Sequence, residues 1–179
     1  MYQYRQLLAA DATVFYQLLH HAYAEIKHLG IRFDAATADL AAMTQHLNNH
    51  AVYGMFEDGI LIASVTLRYP WGKQPGPFGL PHIGWFATAP THRGQQLGKK
   101  ILAWFEDSIL SQQLRAPAYS LGTAESHPWL VNYYQSLGFK IIEKRDLGKG
   151  HITIFMQKII EQQRYTQWLA ISNQPEKTR

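Results

Sequence analysis

The residues of this chain whose types and spacing can do chemistry gather in two stretches, residues 82–102 and 118–139. In the first, Arg93-Gly94-Gln95-Gln96-Leu97-Gly98-Lys99 leads into apolar positions Leu97, Ile101, Leu102 and Phe105 at helical spacing. The first turn of a helix leaves backbone N–H groups unpaired and carries the positive end of the macrodipole. Glycine at 94 and 98 lets an anion come close to those amides, and Arg93 and Lys99 add full positive charge beside them. This is the composition of a phosphate site. The second stretch brings Glu125, His127, Tyr133 and Tyr134, a carboxylate, an imidazole and two phenols, all groups that move protons.

The elements that must position these groups follow from the same residues. Ile83 to Ala87 is an apolar, strand-like run, and Pro90 ends it because proline cannot donate to a ladder. The first stretch therefore reads strand, glycine-bearing turn, helix. Its spacing excludes two familiar phosphate loops. A Walker loop has four residues between its glycines and a hydroxyl after its lysine, whereas Gln95-Gln96-Leu97 is one residue short and Lys99 is followed by Lys100. The dinucleotide pattern GxGxxG is absent as well. The second stretch reads strand (118–123), turn, helix (128–137), with Pro128 at the helix start and Gly138 as its left-handed stop.

Arg93-Gly94-Gln95-Gln96-Leu97-Gly98, with Pro90 ahead of it, resembles the acyl-CoA signature (Arg/Gln)-x-x-Gly-x-(Gly/Ala) of the GNAT superfamily of N-acyltransferases, with Gln96 where the family normally has glycine. Tyr133-Tyr134-Gln135-Ser136-Leu137-Gly138-Phe139 resembles that family's closing aromatic-Tyr-x-x-x-Gly-Phe. The resemblance spans residues 2–158 and implies an α+β fold. The expected core is a mixed, mostly antiparallel sheet with helices on both faces and two splayed parallel strands that hold acyl-CoA. The order ahead of the motif agrees with this. Residues 2–8 read as an edge strand, and Asp11 opens a helix bearing Val14, Phe15, Leu18, Leu19, Ala22 and Ile26. A second helix is expected from near Ala36 through Leu40, Met43 and Leu47. Strands at 51–56 and 60–67 are joined by Glu57-Asp58-Gly59, a hairpin signal. Residues 70–81, rich in proline and glycine but carrying Trp71 and Phe78, read either as a long hairpin loop or as a lid on the acceptor side. A turn at Asp146-Leu147-Gly148-Lys149-Gly150 and a strand at 152–158 complete a single GNAT domain at 1–158. Residues 159–179 are expected as a helical or frayed tail.

Composition bounds the alternatives. With 179 residues, 46% of them apolar and 17% charged, the chain is one globular domain rather than a disordered or fibrous one. Absence of cysteine excludes a disulfide framework, thiolate metal sites and a cysteine nucleophile. No signal peptide or apolar run of membrane-spanning length is visible, so a cytoplasmic location is expected. The net charge of +4 suits a polyanionic co-substrate and gives only a weak hint of nucleic acid. Among the histidines, His20, His21 and His28 share a helix, and His46 with His50 has i, i+4 spacing without a zinc-protease glutamate; no metal is expected.

The resemblance assigns the chemistry as acetyl transfer from acetyl-CoA to a primary amine of a small molecule, amino acid or peptide, by direct attack in a ternary complex. It implicates the main chain of Phe86, Ala87 and Thr88 in holding the pantetheine arm and the thioester oxygen. It places the pyrophosphate on the segment from Arg93 through Gly98 with Lys99, and puts Tyr134 at the general-acid position, with Tyr133 as its packing neighbour. The family's base is often a glutamate on the strand before the loop, or a water chain. Here that strand has no carboxylate, which leaves His82, Glu125 and His127 as candidates, His127 also at a position that touches the pantetheine. The expected partners are acetyl-CoA and an amine acceptor, with neither nucleic acid nor membrane; self-association as a homodimer is compatible with the fold. A catalytically silent acyl-CoA-binding module is the rival class, and its ground is Gln96.

Overall fold

Seven strands form one sheet, in the spatial order first, second, third, fourth, fifth, seventh, sixth: β1 (Tyr2–Leu7), β2 (Ala51–Glu57), β3 (Ile60–Arg68), β4 (His82–Thr88), β5 (Ala118–Ala124), β7 (Ile152–Ile159) and β6 (Lys140–Asp146). The computed structural model describes residues 1–172 other than Gly30, Arg32 and Pro128, without the side chains of Lys27 and His28. The expected helix start at Pro128 and residues 173–179 of the tail thus lie outside the described residues. Every neighbouring pair is antiparallel except β4 and β5, which run parallel through a helical crossover. The β2–β3 hairpin turns on Asp58 (φ 49°) and Gly59 (φ 80°), the two left-handed residues of a tight hairpin turn.

Helices cover both faces. On one lie α1 (Ala12–Ala22), the single turn α2 (Asp34–Thr37) and α3 (Leu40–Asn49), where Phe15, Leu19, Met43 and Leu47 bury against Val52, Phe56 and Leu61. The second helix begins at Leu40 rather than near Ala36, because Asp39 takes the N-cap and accepts the Ala42 N–H at 2.8 Å. Asp11 does open α1, but its carboxylate turns back onto Arg5 and the Leu8 N–H instead of the helix. On the other face lie α4 (Leu97–Trp104) and α5 (Leu130–Ser136). The first runs on through Phe105–Gln113 with wider winding, the Leu114 N–H reaching back five residues to the Ile109 carbonyl. There Ile101, Phe105, Tyr119, Tyr134 and Phe139 join the main core. The helix α5 ends as its sequence implies. Gly138 has φ +93°, its N–H donates to Gln135, and Phe139 donates to Tyr134, the paired bonds of a Schellman stop. A last helix, α6 (Gln162–Ser172), follows β7. No helix among the described residues is long and apolar enough to cross a membrane.

The fourth strand departs from regularity. Ser64 pairs with Ala87 and Thr66 with Gly84, so Trp85 and Phe86 together oppose Val65 alone. This is a β-bulge, and Trp85 adopts φ +44° within it, a conformation that bulky residues avoid. Its indole is held by stacking on His46 (ring centroids 3.7 Å apart, 11° between planes) and on Phe15 (6.3 Å). His46 in turn bonds the Thr66 hydroxyl at 2.9 Å. Burial holds the imidazoles of His46 and His82 neutral, each down to about 3. Unfolding releases both to the ordinary value of 6.5, so below 6.5 the unfolded chain binds protons that the folded one refuses. Stability should therefore fall as pH drops from 6.5 toward 3. Urea midpoints measured between about pH 7 and about pH 5 test this, and a level midpoint across that range contradicts it.

Candidate active site

After Ile83, the strands β4 and β5 part company. Only His82↔Ser120 and Ile83↔Leu121 are paired, and from Gly84 to Thr88 the β5-facing edge of β4 has no ladder partner. The unpaired N–H and C=O groups of that edge open into a cavity of about 700 Å³, which the parted strands, the turn before α4, the start of α1's loop and the β6–β7 turn enclose. Phe86, Ala87 and Thr88 all line it. One of their groups is already engaged: the buried Tyr23 hydroxyl donates to the Phe86 carbonyl at 2.9 Å.

The turn between β4 and α4 forms one end of this cavity. Gly94 (φ +81°) and Gln96 (φ +55°) both hold left-handed conformations. Within the turn the Arg93 and Gln95 amides bond back to Pro90 and His92 (3.3 and 3.2 Å). The Lys100 amide is the first to close the helix, onto Gln96 at 3.0 Å, which leaves the Leu97, Gly98 and Lys99 amides ahead of it without an intrahelical acceptor. Arg93, Gly94, Gln96, Leu97 and Gly98 line the cavity, while the exposed Gln95 and Lys99 stand outside its wall. Arg93 pairs with Glu25 across the rim, both side chains well exposed.

Of the proton-moving residues, the structure brings Tyr134, Tyr133, His127 and His82 to the cavity, but not Glu125, whose carboxylate lies on Lys144 at 2.6 Å at the surface. The two tyrosines both line the cavity, at different depths. Tyr134 is the deeply buried one (7% exposed), its ring among Phe86, Phe139 and Tyr133, and burial pushes its phenol far up, with Tyr23 adding to the shift. Tyr133 is not a core residue. Half-buried, it reaches across so that a Cβ placed on Gly98 would stand 2.3 Å from its hydroxyl. His127 is buried with Nδ1 unpartnered among the described residues, and burial lowers its pKa. His82 is tied by Nδ1 to Ser120 Oγ at 2.9 Å and covered by Gly76.

A parted pair of parallel strands beside a glycine turn and orphaned helix amides is the arrangement that the motifs implied. The sequence profile of the acetyltransferase (GNAT) family matches residues 13–139. The chain belongs to this family. It is an N-acetyltransferase that takes its acetyl group from acetyl-CoA. It is 48% identical over 156 residues to the S-(2-succino)cysteine N-acetyltransferase of Bacillus subtilis (strain 168), covering 87% of this chain and 94% of that protein. It is 32% identical over 163 residues to the S-alkylcysteine N-acetyltransferase of the same organism, covering 90% and 91%. In fold it is similar to the ribosomal-protein-S18-alanine N-acetyltransferase of Escherichia coli, with a TM-score of 0.68 at 16% identity over 90% of this chain and 95% of that one.

The end of this GNAT cavity away from the glycine turn holds residues that the sequence did not single out. Arg68 enters from the end of β3, Arg145 from the end of β6, and Lys149 and His151 from the β6–β7 turn, opposite Asp34. Lys149 reaches Asp34 at 3.1 Å, Arg145 pairs with Glu143 and lies over the Phe155 ring, and His151 meets the Phe33 ring edge-on. Their only signal in the sequence is a charge ending a long apolar strand, at Arg68, and cations in an otherwise ordinary turn. The segment 70–81 divides. Pro75, Gly76 and Pro77 line the cavity and Phe78 packs on Phe155, whereas Trp71 stacks on Tyr69 at the surface (74% exposed).

Gly98 sharpens into a test of the donor end. A side chain there meets the Tyr133 hydroxyl, a collision at the tip of a stiff ring, with Phe86 next at 3.2 Å. A Gly98→Glu variant is therefore no clean probe of anion binding, and Gly98→Ala is sufficient. Gly98→Ala should lose about 1–3 kcal/mol of stability and bind CoA more weakly. Tyr133→Phe removes the nearest atom, so the double variant should recover most of the stability loss. A double-mutant cycle on urea midpoints checks this, and strict additivity would show that the two side chains do not compete for one space.

Proposed function

We propose that this enzyme acetylates the α-amine of an S-substituted cysteine whose substituent carries carboxylates, with S-(2-succino)cysteine as the reference acceptor. The observation that carries the reading is the cationic acceptor wall. Arg68, Arg145 and Lys149 face the cavity at that end; Asp34 engages Lys149 and Glu143 engages Arg145 in part-exposed pairs that an acceptor carboxylate can join, and Arg68 has no ion-pair partner among the described residues. The 48% identity to an S-(2-succino)cysteine N-acetyltransferase supports it. An S-alkylcysteine, the acceptor in the name of the 32% relative, has an apolar substituent that gives such cations no partner.

The residues divide the reaction between them. Leu97, Gly98 and Lys99 offer their amides to the pyrophosphate of acetyl-CoA, and the unpaired edge of β4 from Gly84 to Thr88 receives the arm that carries the thioester. Main-chain N–H groups at the bulge stabilise the oxyanion as the amine adds to the carbonyl carbon. His127, neutral because burial lowers its pKa and unencumbered at Nδ1, takes the proton from the amine. His82 is a poorer base, since an imidazole held down to about 3 has little affinity for a proton. Tyr134 keeps its phenol protonated well past its ordinary 10 and donates to the departing sulfur as the C–S bond breaks.

Two measurements test the reading. In steady-state assays with saturating acetyl-CoA, kcat/KM for S-(2-succino)cysteine should exceed that for S-methylcysteine by about tenfold or more, as expected for hydrogen bonds between charged groups; equal values count against the polyanionic acceptor. For the proton steps, kcat should fall only below pH 6.5, where His127 begins to protonate, and stay level up to pH 10 because Tyr134 remains a donor. Tyr134→Phe should lower kcat by ~10²–10⁴-fold with little change in KM for acetyl-CoA, and His127→Gln should remove the acid limb. A fully active Tyr134→Phe enzyme would mean that solvent protonates the thiolate.

A further inference from the structure

Arg68 closes β3 directly opposite His82, the first residue of β4, so its side chain enters the cavity just ahead of the bulge. Its guanidinium lies over Gly84: a Cβ there would be in ordinary contact with Nη2, at 3.7 Å. The Nε atom is buried and has no hydrogen-bond partner among the described residues. The groups around it do little to offset its charge. His46, His50 and His82 are neutral, and the acid that acts on Arg68, Asp34, is already engaged by Lys149. A guanidinium drawn out of water with a donor unspent is costly unless an anion docks against it.

We propose that Arg68 binds the α-carboxylate of the acceptor and makes this enzyme select α-amino acids over amines that lack one. The inference rests on the S-substituted cysteine reading. Position decides which carboxylate Arg68 takes. Its guanidinium lies against Gly84, next to the bulge where the β4 edge opens toward the thioester. The α-carboxylate is two bonds from the attacking nitrogen and must lie close to that point, whereas the succinyl carboxylates are five and six bonds away. Those reach the far wall, where Arg145 and Lys149 stand on β6 and the turn that follows it. The planar fork of arginine matches a carboxylate with two parallel hydrogen bonds, which lysine cannot reproduce.

The experiment compares acceptor pairs that differ only in the α-carboxylate: S-(2-succino)cysteine with S-(2-succino)cysteamine, and S-methylcysteine with S-methylcysteamine. The wild-type enzyme should favour the carboxylate-bearing member of each pair by roughly ten- to hundredfold in kcat/KM, mostly through KM. In Arg68→Gln that ratio should fall toward one, and in Arg68→Lys it should lie between. KM for acetyl-CoA is the control for a general disturbance of the site. The α-carboxamide of S-(2-succino)cysteine, assayed on the wild-type enzyme, repeats the test without any variant and should behave like the cysteamine. A wild-type enzyme indifferent to the α-carboxylate overturns the assignment, as does an Arg68→Gln variant that loses the same factor on both members of each pair. Equal turnover of the succinyl and methyl amino acids overturns the polyanionic acceptor instead and leaves the carboxylate ratio standing. No turnover of any pair overturns both.

Discussion

The structure depends on one unmade set of hydrogen bonds. The fourth strand must stay in the sheet through β3, yet abandon β5 after two residue pairs so that its edge can serve a ligand. Leaving backbone groups without partners inside a protein costs free energy, so the parting has to be enforced. The bulge at Trp85 and Phe86 enforces it by turning the strand away. A tryptophan at positive φ is itself worth about 1–3 kcal/mol of strain, and the stack on His46 and Phe15 is what keeps the indole there. The helices α1 and α3, whose residues form that stack, thus do more than cover a face of the sheet. They hold the gap open from behind, while Tyr23, just past the end of α1, pins the Phe86 carbonyl from the front.

The same gap sets the electrostatics. Beside a neutral backbone edge and neutral imidazoles at His82 and His127, the few full charges of the cavity set its field. At the donor end the charge is mainly partial, supplied by helix amides, since the formal charge of Arg93 is spent on Glu25 at the rim. At the acceptor end it is formal, on Arg68, Arg145 and Lys149. The two ends therefore recognise anions by different means, one by geometry and the other by charge, with the reacting centre in the neutral stretch between them.

What the sequence made legible is what local rules determine. The strand, turn and helix around Gly94, the Asp58-Gly59 hairpin and the Schellman stop at Gly138 each follow from residues within a few positions of one another, and each stands where it was expected. The site residues that escaped are those assembled by the sheet order. Arg68 and Arg145 lie far apart in the chain and reach one cavity only because β4 and β5 part and β7 precedes β6 in space. The different burial of Tyr133 and Tyr134 has the same origin. Adjacent positions on a helix point about a quarter-turn apart, so which ring meets the core depends on the helix's rotation, and the sequence does not specify that.

Gln96 shows how a departure from a motif can be read physically. Glycine serves two purposes in such loops: it leaves space for a ligand, and it tolerates positive φ. At position 96 the conformation is the demanding part. The residue sits at φ +55° and ψ +33°, immediately before the orphaned amides of α4. A glutamine can hold that conformation at a cost of roughly 1–2 kcal/mol, and the Leu97, Gly98 and Lys99 amides that follow it remain without an intrahelical acceptor. The position where space is the constraint is Gly98, pressed between Tyr133 and Phe86, and there the glycine is kept. The substitution thus carries a conformational cost and adds a side chain to the cavity wall. What sets aside a silent acyl-CoA-binding module is the match to the acetyltransferase family and the 48% identity to one of its enzymes, not the loop, which would serve either class.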